Sequence, residues 1–255
     1  MRMGLHRFLM IFTAVASVGL AESVEYDFND FDDGPIDGQQ EWNVYNKVKD
    51  SSPLSVMDVV GAHGVAGDKA LVLQKSDTPI RCVTGEPVRW LPGSTLTVEF
   101  DFRLGQTATE PTRDLPVLEF MIGNSLLSEK ARWGITLQTL PSGDWKLSGA
   151  MPDEASTKIY GENLLIRPAS DVLLSDWFKF KLVVKKLEEP DRFDASVEIV
   201  DTKGKTLATL KFASKGKDKV TKAMWNLPRV NAGFHVSRDQ QGLAVIDNLV
   251  ISTAK

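Results

Sequence analysis

Cysteine is almost missing from this chain: Cys82 stands alone among 255 residues. A single thiol excludes an intramolecular disulfide and any zinc centre built from several thiolates. Histidine is nearly as scarce, three in the whole chain, which argues against a histidine-rich metal site. Basic charge is not in excess. Lysine and arginine total 30 against 34 aspartates and glutamates, a net charge of −4. The chain therefore lacks the electrostatic footprint of a nucleic-acid or anionic-lipid binder. It has no Gly-x-Ser-x-Gly nucleophile elbow and no glycine-rich phosphate loop. It has no internal repeat and no linker rich in proline, glycine and serine, which points to one domain. Apolar residues at 42% and charged residues at 25% are the balance of a folded globular chain.

What is present begins with an address. Arg2, His6 and Arg7 precede an apolar run, Phe8 to Val15, and then the small residues that lead to Ala21. This is the pattern of a secretory signal peptide cut after Ala21. The apolar run is too short for a comfortable membrane span, and no stop-transfer segment follows it. The expectation is an exported monomer, one domain over residues 22–255, with no membrane insertion after processing.

Beyond that segment the pattern is period two. Leu96, Val98, Phe100, Phe102 and Leu104 alternate with Thr95, Thr97, Glu99, Asp101 and Arg103, which predicts a half-buried strand. Phe178, Phe180, Leu182 and Val184 alternate with lysines in the same way. Further strands are expected at Glu25 to Phe28, Ser55 to Val60, Ala70 to Gln74, Leu115 to Ile122, Arg132 to Gln138 and Asp144 to Gly149. The later set is Phe193 to Val200, Lys205 to Phe212, Val230 to Val236 and Leu243 to Ser252, with a turn or two of helix between Ser214 and Met224. Turn residues such as Pro141-Ser142-Gly143 and Lys203-Gly204 separate them. The fold class is all-β, a two-sheet antiparallel sandwich.

Four segments, in order, carry a family likeness. They are Tyr26 to Phe31 with Gly34-Pro35-Ile36-Asp37-Gly38 and Trp42; Thr97 to Arg103; Asp176 to Leu182; and Val245 to Ile251. Together they resemble the concanavalin A-like lectin/glucanase superfamily, in its laminin-G-like jelly-roll branch. The resemblance implies two curved sheets, Thr97 to Arg103 on the concave face, and a last strand paired beside the first. It also implies a fold shared by lectins, glycosidases and polysaccharide lyases, so function has to come from the site.

An enzymatic reading rests on Glu99 and Asp101, which share one strand face as the carboxylates of related glycosidases do. A retaining glycosidase needs a second carboxyl about 5 Å from the nucleophile. The next position on that face is Arg103, which cannot donate a proton, leaving Glu119 on another strand as the substitute. A lyase base could come from His63 or His235 with Tyr45 or Tyr160, although nothing local pairs them. The binding reading uses tryptophan, whose large amphipathic ring suits sugar faces. Trp42, Trp133, Trp145 and Trp177 read as core. Trp90, beside Arg89 and Pro92, and Trp225, beside Asn226, are the stacking candidates. Glu99, Asp101, Arg103 and Gln138 would supply polar contacts, with Glu119 and Arg132 able to add more.

The loop after the first strand offers Asp27, Asp30, Asp32, Asp33 and Asp37. The resemblance implies that Asp247 on the closing strand matches a calcium ligand on the convex side. A structural Ca2+ held by Asp27, Asp30 and Asp247 is therefore expected where the first and last strands meet. The leading expectation is a secreted domain that binds an oligo- or polysaccharide on its concave face without cleaving it. The alternatives are a polysaccharide-degrading hydrolase or lyase, and an envelope or protein-interaction domain.

Overall fold

A computed structural model describes residues 21–45, 54–60, 66–107, 113–150, 155–159, 166–169, 172–214, 218–240 and 242–255. The secretory segment, His63 and Tyr160 lie outside the described residues. The strands before residue 110 are β1 (Glu22–Tyr26), β2 (Gly34–Pro35), β3 (Asn43–Tyr45), β4 (Leu54–Val60), β5 (Ala66–Gln74), β6 (Ile80–Val83), β7 (Val88–Arg89) and β8 (Thr95–Thr107). Then come β9 (Leu115–Gly123), β10 (Arg132–Thr139), β11 (Trp145–Ala150), β12 (Ala155–Ile159), β13 (Ile166–Ala169) and β14 (Val172–Ser175). The last are β15 (Phe178–Lys186), β16 (Phe193–Asp201), β17 (Thr206–Ala213), helix α1 (Lys219–Trp225), β18 (Arg229–Val236) and β19 (Leu243–Ala254).

These strands make two antiparallel sheets. The first has eleven strands, ordered β17-β16-β15-β8-β19-β5-β4-β2, with β1 on β19 and the β13–β14 hairpin on β8. The second has eight, ordered β12-β11-β10-β9-β18-β6-β3, with β7 on β18. The first and last strands pair as expected, Tyr26 opposite Leu249 and Glu22 opposite Thr253. The Lys203-Gly204 turn is built by Asp201, whose Oδ1 accepts from the Lys203 and Lys205 amides while Gly204 adopts φ 80°. The short helix falls a few residues later than expected. Asp218 caps it, accepting from the Thr221 amide at 2.7 Å and from the Thr221 hydroxyl, bonds that hold its carboxyl below the usual range against the opposing effect of burial.

Alternation decides which side chains face inward. Phe100 stacks on its β15 neighbour Phe180 at 4.5 Å between centroids. Across the sandwich they meet Phe120 and Phe234 of the second sheet, at 5.3 Å and 5.4 Å from Phe100. These four rings join the sheets at the centre. The space beside them, lined by Phe102, Leu118 and Ile135 among others, is about 10 Å³, room for no more than one water.

Trp42, Trp133 and Trp145 are in the core as expected. Trp177 is not. It lies half-buried on the outer side of the first sheet, against Ala70, Val72 and Val245, with the Arg103 guanidinium 5.6 Å from its ring centre.

Candidate functional site

Glu99 and Asp101 share a face, as the period of two requires, but their partners are lysines. Glu99 is 2.6 Å from the Lys181 ammonium and Asp101 3.7 Å from that of Lys179, each on the neighbouring strand β15. Asp101 also accepts from the Asn248 amide at 3.0 Å. These are cross-strand ion pairs on a partly solvated surface, worth about 0–1 kcal/mol each.

Glu119 cannot complete a catalytic pair with them. Phe100 and Phe120 point at each other through the core, so Glu99 and Glu119, one residue earlier on each strand, point away from it on opposite sides. Sheets pack about 10 Å apart, which already exceeds the spacing of a retaining pair before the outward side chains are added. Gln138 likewise belongs to the second sheet, so Glu99, Asp101, Arg103 and Gln138 do not form one site. The expected concave and convex assignments also merge. The strands β8 and β19 are neighbours with Asp101 opposite Asp247, which places both on one face.

Neither proposed stacking ring is available as drawn from the sequence. Trp90 has no exposed surface; it packs on Phe193 at 5.3 Å and edge-on to Trp133 at 6.2 Å. Trp225 is half-buried on the core and donates its indole N–H to the Leu187 carbonyl at 3.4 Å. Between the two rings lies Lys186, only 1% exposed, 4.9 Å from the Trp90 centroid and 5.7 Å from that of Trp225. Its ammonium donates to the carbonyls of Trp90 and Leu227 at 3.0 and 2.8 Å. Burial pushes its pKa down to about 8.

The residues of the acidic loop do not fit a calcium ion. Asp27 accepts from the Asn29 amide, Asp37 from the Val44 amide, and Asp247 from the Asn248 amide. The loop already has a cation. The Lys69 ammonium donates to the Phe31 carbonyl at 2.6 Å and stands 3.4 Å from Asp33. Among the described residues no three His, Cys, Asp or Glu side chains gather as a metal cluster, and Asp30 is exposed. Millimolar calcium and chelator are therefore expected to give the same melting temperature, whereas Lys69→Ala lowers it; a calcium-dependent rise in wild type would reverse this.

The second sheet carries the arrangement that sequence reasoning saw only in pieces. In register across its outer face run Ser148, Thr136, Glu119, His235, Arg81 and Tyr45, one from each of six adjacent strands. His235 Nδ1 and Glu119 Oε2 are 2.6 Å apart, both side chains 17% exposed. Arg132, further along β10, points to the same side.

A loop walls one end of this face. Asn124 organises it, its Oδ1 accepting from the Leu126 and Ser128 amides. Leu127, at φ 44°, drops its fully buried side chain onto Val83 and Met121. Its carbonyl accepts from Arg81 Nη1 at 2.8 Å and Arg132 Nη1 at 3.0 Å, and the Tyr45 hydroxyl donates to Ser125 at 3.3 Å. Gly233 makes the room: a Cβ there would come within 2.1 Å of the Cys82 carbonyl and 2.8 Å of Leu127. Gly233→Ala is expected to cost on the order of 3 kcal/mol and to free the loop, seen as faster proteolysis or amide exchange over 124–131. An unchanged melt and protection pattern would refute this packing.

Glu119, Arg132, His235 and Tyr45 were each visible as candidates. Arg81, Thr136 and Ser148 were missed, although strand parity around Cys82, Ile135 and Leu147 is signal enough for all three.

No family model matches the sequence, and no curated protein is significantly similar to it. Solved structures are. The lectin UEA-II, complexed with galactose, superposes with a TM-score of 0.53 at 9% identity, covering 94% of this chain and 100% of the lectin. The winged bean acidic lectin, complexed with methyl-α-D-galactose, gives 0.51 at 11% identity over 92% and 99%. A lectin from Bauhinia forficata in complex with GalNAc gives 0.50 at 8% identity over 92% and 99%. This chain shares with these lectins the fold alone, a two-sheet antiparallel jelly-roll β-sandwich, here with its first and last strands paired.

Proposed function

We propose that this protein binds a glycan on the outer face of its second sheet and does not cleave it. The observation that carries the reading is the six-residue polar row across that face, walled by the 124–131 loop. Sugars offer dense hydroxyl donors and acceptors, and a row of hydroxyl, carboxylate, imidazole and guanidinium groups answers both. The fold neighbours crystallised with sugars support the reading. We further propose that the chain acts as an exported monomer; the start of β1 at Glu22, paired with β19, suits cleavage after Ala21. Amino-terminal sequencing of the exported form tests that point.

One observation favours a second reading, cleavage on the same face. Glu119 fixes the His235 ring through Nδ1, the way a carboxylate orients a general base. A glycan array run beside assays for new reducing ends and unsaturated products decides between them. Binding without products is expected. Product formation abolished by His235→Ala would establish the enzyme instead.

A further inference from the structure

We propose that the second sheet's outer face reads the acid group of an anionic saccharide, a carboxylate or a sulfate ester, through Arg81 and Arg132; this rests on the glycan-binding reading above. Both guanidiniums donate to the single carbonyl oxygen of Leu127, so their Nη1 atoms lie within about 6 Å of each other. Two like charges brought this close repel. Arg132 is held below its ordinary pKa by burial first and then by Arg81.

Burial and Arg81 together outweigh the opposing pull of Glu129 and Glu119 on Arg132. Glu119 is bonded to His235, and Glu129 stands 3.9 Å from Arg132 on a side chain 87% exposed. Each guanidinium carries five N–H groups, and among the described residues only the Leu127 bond uses one from Arg81 or Arg132. What remains is a pair of neighbouring planar forks with N–H groups to spare, and a guanidinium fork can take an oxyanion through two parallel bonds. The other outer face makes the contrast. There Glu99 and Asp101 each have a lysine of their own, so its charges are matched within the sheet.

The experiment titrates the full exported protein with three oligosaccharides: a uronate oligomer, the same oligomer with its carboxyls reduced to alcohols, and a sulfated galactan oligomer. A neutral glucan is the fourth arm. Wild type is expected to bind the uronate, the sulfated oligomer or both at least about tenfold more tightly than the reduced and neutral arms, and which acid wins names the group. Arg81→Gln and Arg132→Gln are each expected to weaken that binding by about tenfold or more, with melting temperature and tryptophan emission checked alongside. If either variant fails to fold, the carboxyl-reduced arm decides on wild type alone. Equal affinity for acidic and neutral arms, or folded arginine variants that bind the acid as wild type does, overturns the inference and leaves glycan binding standing. Binding to none of the four overturns both.

Discussion

Trp90→Ala is expected to remove about 4 kcal/mol of folding stability, the cost of deleting a fully buried aromatic ring from a packed core. For a domain of this size that is a fall of roughly 8–16 °C in melting temperature. The ring has no exposed surface and fills the space between Phe193, Trp133 and the Lys186 ammonium. Truncation leaves a cavity, and the lysine loses one of its two flanking π-faces. Any loss of glycan binding in this variant should track the melt and disappear when both are measured well below the transition. A variant that melts like wild type but binds weakly would restore Trp90 as a ligand-stacking residue.

The second large effect is a pH dependence that belongs to one side chain. Lys186 is buried without a carboxylate at its ammonium, and burial lowers its pKa to about 8 in the folded protein, while the unfolded chain has the ordinary 10.5. Between these values the unfolded state holds more protons, so this group makes stability rise with pH through that window. Lys186→Met removes the titration. The stability of wild type minus that of the variant is expected to grow by about 2 kcal/mol between pH 7.5 and pH 10. Comparison of the two proteins cancels groups common to both, including Tyr26, which burial raises to about 12. A difference flat across that range would mean that the ammonium is solvated and that Trp90 and Trp225 do not enclose it.

Parity was the part of the fold that sequence could deliver. Glu99, Asp101 and Arg103 were placed on one side of their strand by the inward Phe100 and Phe102, and that is where they are. Sheet membership was not readable, because it depends on which strands pair, and the pairings join residues far apart in the chain. Glu119 and His235 are 116 positions apart, yet face each other across β9 and β18. The acidic loop looked like a calcium site because five aspartates fall between Asp27 and Asp37. Its cation, Lys69, arrives from 38 residues downstream of Phe31. Trp90 read as a loop-side ligand candidate beside Pro92, but its ring packs inward on Phe193 and Trp133, 103 and 43 positions further along the chain. Strand parity carried the face of Glu99, Asp101 and Arg103, while partners distant in sequence were missed in each case.

The central claim is that the second sheet, not the first, presents the ligand face, and one side-by-side titration tests it. Affinity for the best glycan from the array is measured for His235→Ala and Glu119→Gln on one face, and for Glu99→Gln and Asp101→Asn on the other. All four proteins are first shown to melt like wild type. The first pair should weaken binding by about tenfold or more, as loss of a central polar contact does, while the second pair stays within about twofold. Weakened binding from Glu99→Gln and Asp101→Asn, with His235→Ala and Glu119→Gln unchanged, would put the site on the opposite side of the sandwich and contradict this account.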